Sequence, residues 1–324
     1  MKGLTICAAL LALFWTGAAP AQVITPSLDP SVASMGPAAT GWKTEDVVAL
    51  AYTDRTGKRE QSGVQQYEFT GSQSDVMLAL TMEGAAFELA SSNQSTGTKP
   101  EGVYDQPVPI SNKTAQANLA IQGNDFFSMG LGYRTEEKER WLSQSYPHDR
   151  TKLTYAGGAL SVRLGESFYV GGGASRVREA SDLYVDNNWV ESQIGLAMLF
   201  GQPGDTRFRF EASLTQTPKA LQNAAADRAP AAHPGSDLQR GALELEFSGL
   251  LFSFQGDQLI ERVVTVDAAT GQTSSQTESV SSRAGVLWVP EMGMSLGFYF
   301  GNQQVKQLYT DSFSDFQVKL GYLF

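Results

Sequence analysis

The alternation of side chains restricts this chain more than any other feature. In 206–214, Phe208, Phe210, Ala212 and Leu214 share one parity, while Arg207, Arg209, Glu211 and Ser213 share the other. In 242–247, Leu243, Leu245 and Phe247 oppose Glu244 and Glu246. Between 292 and 301, Met294, Leu296, Phe298 and Phe300 oppose Ser295, Gly297, Tyr299 and Gly301. In 190–200, Val190, Ile194, Leu196, Met198 and Phe200 oppose Glu191, Gln193 and Gly195. A period of two belongs to the β-strand, with one apolar face and one face that is charged or very small.

From residue 44 onward such segments are separated by connections that alternate in length. Short ones fall at Gly84, Gly123-Asn124, Gly165-Glu166, 202–205, Ser248-Gly249 and Pro290-Glu291. Long polar ones fall at 92–113, 135–150, 178–188, 218–238, 266–276 and 302–312. One alternating strand is equally compatible with a soluble sandwich. A meander with tight turns at one end and long loops at the other is the outer-membrane pattern of periplasmic turns and extracellular loops. Counting back from Phe324 gives twelve or thirteen strands, and 47–52 with 64–82 supply one to three more. Such barrels have even strand numbers, so the expectation is an all-β transmembrane up-and-down antiparallel barrel of fourteen strands over 44–324, with twelve as the alternative.

The two ends of the chain fit that compartment. Lys2, the apolar stretch 4–15 and the small residues around Pro20 read as a secretory signal peptide over 1–21, cleaved after Ala21. The only cysteine, Cys7, lies inside it, so the mature chain is expected to have no disulfide, thiol nucleophile or cysteine-based metal site. Past the signal no apolar run reaches the roughly 18 to 20 residues that a membrane helix needs. The formal charge of −10 leaves no basic patch for phosphate, which argues against a nucleic-acid partner. At the other end Phe316, Val318, Leu320, Tyr322 and Phe324 form one apolar face that stops on the final phenylalanine.

That terminal strand resembles the C-terminal assembly signal of bacterial outer-membrane β-barrel proteins. The resemblance implies Sec export, insertion by the barrel-assembly machinery, and an environment of outer-membrane lipid and lipopolysaccharide. The strand number, together with the segment 22–43 ahead of the barrel, is also similar to the long-chain fatty-acid transporter family, whose N-terminus plugs the lumen. That similarity implies a periplasmic or plug role for 22–43.

Little in the sequence suggests enzyme chemistry. His148 lies in Ser-Tyr-Pro-His-Asp-Arg and His233 in Ala-Ala-His-Pro, both polar loops without a nucleophile motif, and histidine in such a loop needs no special role. Gly171-Gly172-Gly173 lacks the Lys-Ser/Thr of a phosphate loop; glycines that let the wall bend are the simpler reading. Asp182, Asp186, Asn187 and Asn188 lack the regular spacing of a calcium loop. The expectation is therefore no enzyme, no metal and no cofactor.

The non-lipid parity carries the interesting set: Arg134, Arg163, Arg207, Arg209, Arg283 and Lys319 against Glu88, Glu191, Glu211, Glu244 and Glu246. Charges are affordable there, whereas a basic side chain facing lipid at the midplane costs about 2–4 kcal/mol. On this parity Phe210→Arg and Leu245→Arg should block folding into a bilayer, and Arg209→Ala and Glu244→Ala should fold nearly normally. If the inner charges pair across strands they brace a filled lumen; if they segregate they make a field across a water channel. Barrels wider than eight strands leave interior room, so the preferred expectation is a porin-like or substrate channel for passive uptake of small solutes, hydrophobic ones included. A closed-lumen surface protein, whose loops bind lipopolysaccharide or external partners, is the alternative.

Overall fold

The computed structural model describes residues 24–61, 63–99, 108–141, 149–201, 206–222, 231–233, 235–267, 271–306 and 310–324. The proposed signal 1–21, His148 and the turn 202–205 lie outside the described residues. Among the described residues the strands are β1 (Val47–Gln61), β2 (Val64–Met82), β3 (Ala85–Lys99), β4 (Val108–Asn124), β5 (Phe127–Trp141), β6 (Asp149–Leu164), β7 (Phe168–Ser181), β8 (Asn187–Phe200), β9 (Arg207–Thr217), β10 (Ala220–Gln222), β11 (Ala231–His233), β12 (Gly235–Phe247), β13 (Leu250–Asp267), β14 (Gly271–Trp288), β15 (Gly293–Lys306) and β16 (Thr310–Leu323). Fourteen of these, all but the small hairpin β10–β11, form one closed barrel in chain order, sealed where β16 pairs antiparallel with β1 from Val47↔Leu323 to Glu60↔Thr310. Closure leaves the barrel wall without an unpaired edge, which is the condition for strands to cross hydrocarbon.

The barrel is inverted relative to a soluble core. Leu131, Ile194, Phe300 and Met294 face outward and are all more than 60 % exposed. The opposite parity buries Arg59, Glu88, Arg209, Glu244, Gln317 and Lys319. An exposed apolar belt of this extent belongs against lipid.

The end where β1 begins and β16 finishes has the tight turns. Ser248 (φ 51°) and Gly249 (φ 75°) both take the left-handed region, the conformation of a two-residue type I′ hairpin. One turn sits two residues later than its sequence signal. The chain reverses at Asp125-Phe126, not at Gly123-Asn124, because the Asn124 Oδ1 accepts hydrogen bonds from the backbone N–H of Phe126 (2.8 Å) and Phe127 (3.2 Å).

The other end differs from the expected row of long loops. Strands β3 and β4 run on to Lys99 and back from Val108, β13 and β14 to Asp267 and from Gly271, and β15 and β16 to Lys306 and from Thr310. The polar stretch 53–61 is likewise strand, joined to β2 across 62–63. Above the bilayer both faces of a strand meet water, so the apolar alternation fades while the backbone ladder continues undisturbed. Polar sequence therefore resembles loop where the barrel wall rises above the membrane. The stretch 218–238 holds the hairpin β10–β11, which packs near β8.

Candidate functional site: a plugged lumen and an outer chamber

The segment 24–43 lies inside the barrel, with Ile24, Thr25, Leu28, Asp29, Val32, Ser34 and the short helix α1 (Pro37–Thr40) all buried. Near the strand ends by the tight turns, Leu28 packs into a cluster with Val47, Ala49, Met77, Leu251, Leu287 and Leu323. Small residues let the segment lie close to the wall. A Cβ on Gly130 would stand 2.4 Å from the Pro37 carbonyl carbon, closer than real side chains approach backbone.

Wall charges hold this segment by its backbone. Glu244 accepts from the Leu28 N–H (2.8 Å) and from the Ser27 hydroxyl, and Glu211 accepts from the Thr25 N–H (3.3 Å). Arg209, fully buried, donates to the Thr25 hydroxyl (3.0 Å) and carbonyl (3.3 Å) and pairs with Glu211 (2.7 Å) and Glu244 (3.3 Å). Arg207 pairs with Glu246 at 2.5 Å, and the register sets Arg209 opposite Glu244 and Arg207 opposite Glu246. Further round the wall, Lys319 and the Tyr299 hydroxyl meet Asp29 at 2.8 and 2.5 Å. Glu88 accepts from the Ser34 N–H (2.8 Å) and pairs with Lys43 (2.8 Å), and Asn118 donates to the Ser34 carbonyl (2.6 Å). These are charge-assisted bonds to groups that would otherwise be unsatisfied in a buried coil.

The charges thus pair across strands and with the segment, and do not segregate to opposite walls. The room that barrel width suggested is taken up by the N-terminus. This pairing argues against near-normal folding of the two variants: Arg209→Ala would leave Glu211 and Glu244 buried without their shared cation, and Glu244→Ala would leave Arg209 with Glu211 and take the acceptor from the Leu28 N–H.

Beyond the plug, on the side away from the tight turns, a chamber of about 180 Å³ is lined by Met35, Pro37, Arg134, Tyr155, Trp189 and Glu261 among others. A smaller space of about 90 Å³ lies between Ala33, Met35 and the wall at Met77, Ala90 and Gln94. Arg134 borders both, stacked 3.8 Å over the Tyr155 ring centroid. The His233 ring lies 4.1 Å from that of Trp189, so β11 reaches the chamber wall. Lys138 pairs with Glu136 (3.0 Å), Arg240 with Asp257 (3.5 Å), and Glu191 accepts from the Thr217 hydroxyl (3.4 Å).

This level lies above the hydrocarbon, because the outward residue between Glu136 and Lys138 is Glu137, exposed and paired with Lys152 at 2.6 Å. Burial here pushes the Glu261 carboxyl up to about 8 and the Lys138 ammonium down to about 8, the latter opposed by Glu136. Burial also works against ionised Glu136, yet Lys138 and Arg134 hold it below the usual carboxylate range.

The sequence-selected residues therefore fall into separate groups. Arg207, Arg209, Glu211, Glu244, Glu246, Lys319 and Glu88 surround the plug, and Arg134 and Glu191 line the chamber. Arg283 pairs with Asp315 (3.2 Å) on another stretch of wall. Arg163 sits at the tight-turn end and donates to the Glu166 carbonyl (3.0 Å). Glu261, Tyr155 and Trp189 had no sequence signal, since they lie where alternation fades. Arg55 and Arg59 were missed for the same reason; Arg59 is bidentate with Asp311 at 2.7 and 2.8 Å. Gly171-Gly172-Gly173 is part of β7, where a Cβ on Gly171 would meet the Leu160 carbonyl oxygen at 2.4 Å. Asp186 is engaged by Arg178 (2.8 Å).

A closed fourteen-stranded barrel, apolar outside and polar within, defines the class: an outer-membrane β-barrel. No known sequence-family profile and no curated protein sequence matches the chain. Among solved structures the fold is similar to the Pseudomonas putida toluene transporter TodX (TM-score 0.56, 7 % identity, 98 % of each chain). It is similar too to the CymD monoaromatic hydrocarbon channel (0.54, 11 %, 97 % of this chain and 95 % of that one). A Pseudomonas aeruginosa FadL homologue gives 0.54 at 11 % identity, over 94 % of this chain and 96 % of the other.

Proposed function

We propose that this barrel is an outer-membrane channel for small hydrophobic solutes, which collect in the outer chamber and leave past the N-terminal segment acting as a plug. The observation that carries the reading is the occupied lumen. A segment fixed by Glu88, Glu211, Glu244 and Lys319 blocks the half of the barrel nearest the tight turns and leaves a chamber beyond it. A general porin needs a standing water path, whereas a solute that binds and then displaces a plug does not. The chamber size supports the same reading, since a cavity of about 150 Å³ suffices for benzene. The fold shared with channels named for monoaromatic hydrocarbons is in accord with it.

The test uses bacteria whose lipopolysaccharide leaflet retards hydrophobic compounds, expressing or lacking the protein. Labelled toluene should accumulate faster in expressing cells, and the purified protein should show no steady ionic conductance in planar bilayers. Steady conductance would return the reading to a general porin. Equal toluene uptake would favour the second reading, a closed-lumen surface protein that meets lipopolysaccharide or external partners through its charged, projecting strand ends.

A further inference from the structure

Among the described residues, one carboxyl that faces the chamber is held by no donor, although Arg134 Nε and Arg240 Nε are also buried there without a hydrogen bond. Glu261, on β13, is only 4 % exposed and lines the chamber, yet among the described residues it has no hydrogen-bond donor and no ion-pair partner. The other charged groups facing this space are differently placed. Lys138 on β5 is held by Glu136 and acts on Glu261 only through its charge, Arg240 on β12 lies 3.5 Å from Asp257 without a hydrogen bond at its Nε, and Arg134 on β5 lies over Tyr155. Glu191 on β8 takes the Thr217 hydroxyl, and Glu179 on β7 and His233 on β11 also have interactions of their own. Directly across the sheet from Glu261 stand only hydroxyls, Ser236 on β12 and Thr277 on β14. A buried carboxyl left alone is unfavourable in its charged form, so an ionised Glu261 calls for a donor that the described residues do not supply.

The apolar share of the lining comes from Leu153, Trp189, Leu238 and Leu259. With Glu261 protonated, the carboxylates Glu136, Glu179 and Glu191 balance the cations Arg134, Lys138 and Arg240, and an ammonium is attracted to the carboxylate that Glu261 becomes on losing its proton, where an acidic solute would be repelled. We infer that the chamber takes a single-ring amine, its ammonium on the Glu261 carboxylate and its ring against the apolar lining. This rests on the hydrophobic-solute reading and names the solute class. Burial, opposed by Lys138, pushes the Glu261 carboxyl up to about 8. A bound ammonium then displaces the carboxyl proton to solvent, so affinity rises with pH and levels off above about 8, until the amine itself loses its charge.

The experiment measures binding of benzylamine, benzyl alcohol, benzoate and toluene to the purified full-length protein in detergent, by calorimetry in two buffers of different ionisation heat. Benzylamine should bind about tenfold more tightly than benzyl alcohol near neutral pH, release a proton, and gain affinity as pH rises. Benzoate should bind worst. Glu261→Gln should bind benzylamine and benzyl alcohol alike while keeping its affinity for toluene, which also shows that it is folded. Should that variant fail to fold, the wild-type ranking and proton release decide alone. Toluene binding without any preference for the amine, or a preference that survives in Glu261→Gln, overturns the amine assignment and leaves the channel reading standing. Binding of none of the rings overturns both.

Discussion

At the scale of single residues, stability depends on buried charges being complete. Arg209 touches two carboxylates and two oxygens of Thr25. Arg209→Ala should cost about 3–5 kcal/mol, the usual consequence of stranding a buried partner. Denaturant titration in micelles measures this, and a loss below about 1 kcal/mol would mean that water reaches Glu244 and Glu211. Glu261 gives the opposite sign of linkage. Its folded carboxyl titrates near 8, above the ordinary 4.5, so the folded state holds the proton more firmly than the unfolded chain. The resulting stability is fully present below about 4.5, falls as pH rises from there to about 8, and is constant above. Relative to Glu261→Gln, the wild-type melting temperature should drop between about pH 5 and pH 9; parallel curves for the two proteins would place Glu261 in water.

At the scale of elements, β16 does two things at once. Its outward face, Phe316, Leu320, Tyr322 and Phe324 with Val318 partly covered, meets lipid, and its backbone closes the barrel on β1. We propose that these residues also form the assembly signal. Deleting Phe324, or changing Tyr322 and Phe324 to Ser, should leave degraded or aggregated protein in the periplasm; a normal outer-membrane yield contradicts this. Phe210→Arg and Leu245→Arg should block insertion, because both residues face outward on the neighbouring strands β9 and β12. The strands were legible in sequence wherever one face met lipid and the other the lumen, as in β9, β12 and β15. They became illegible above the bilayer, as in 53–61 and 92–99, where nothing distinguishes the two faces. The pairing of Arg209 with Glu244 could be posed from parity, since both lie on inner faces of consecutive long strands. Glu261 could not be found this way, because its importance comes from having no donor among the described residues, which only the three-dimensional arrangement shows.

At the scale of the whole molecule, a wide barrel would by itself leave a water-filled interior, and here the chain fills the end nearest the tight turns with its own N-terminus. The central claim is that this segment must move for a solute to pass. A tether tests it directly: a Cβ on Gly132 would stand 3.4 Å from the Pro37 Cβ, close to disulfide geometry. The double variant Pro37→Cys/Gly132→Cys, in a Cys7→Ser background, is therefore expected to lock the plug to β5 when oxidised. Toluene uptake into expressing cells should fall to the level of cells lacking the protein under oxidising conditions and recover on addition of a thiol reductant. Uptake that stays at the untethered rate with the disulfide verified as formed would contradict a moving plug and, with it, this route through the barrel.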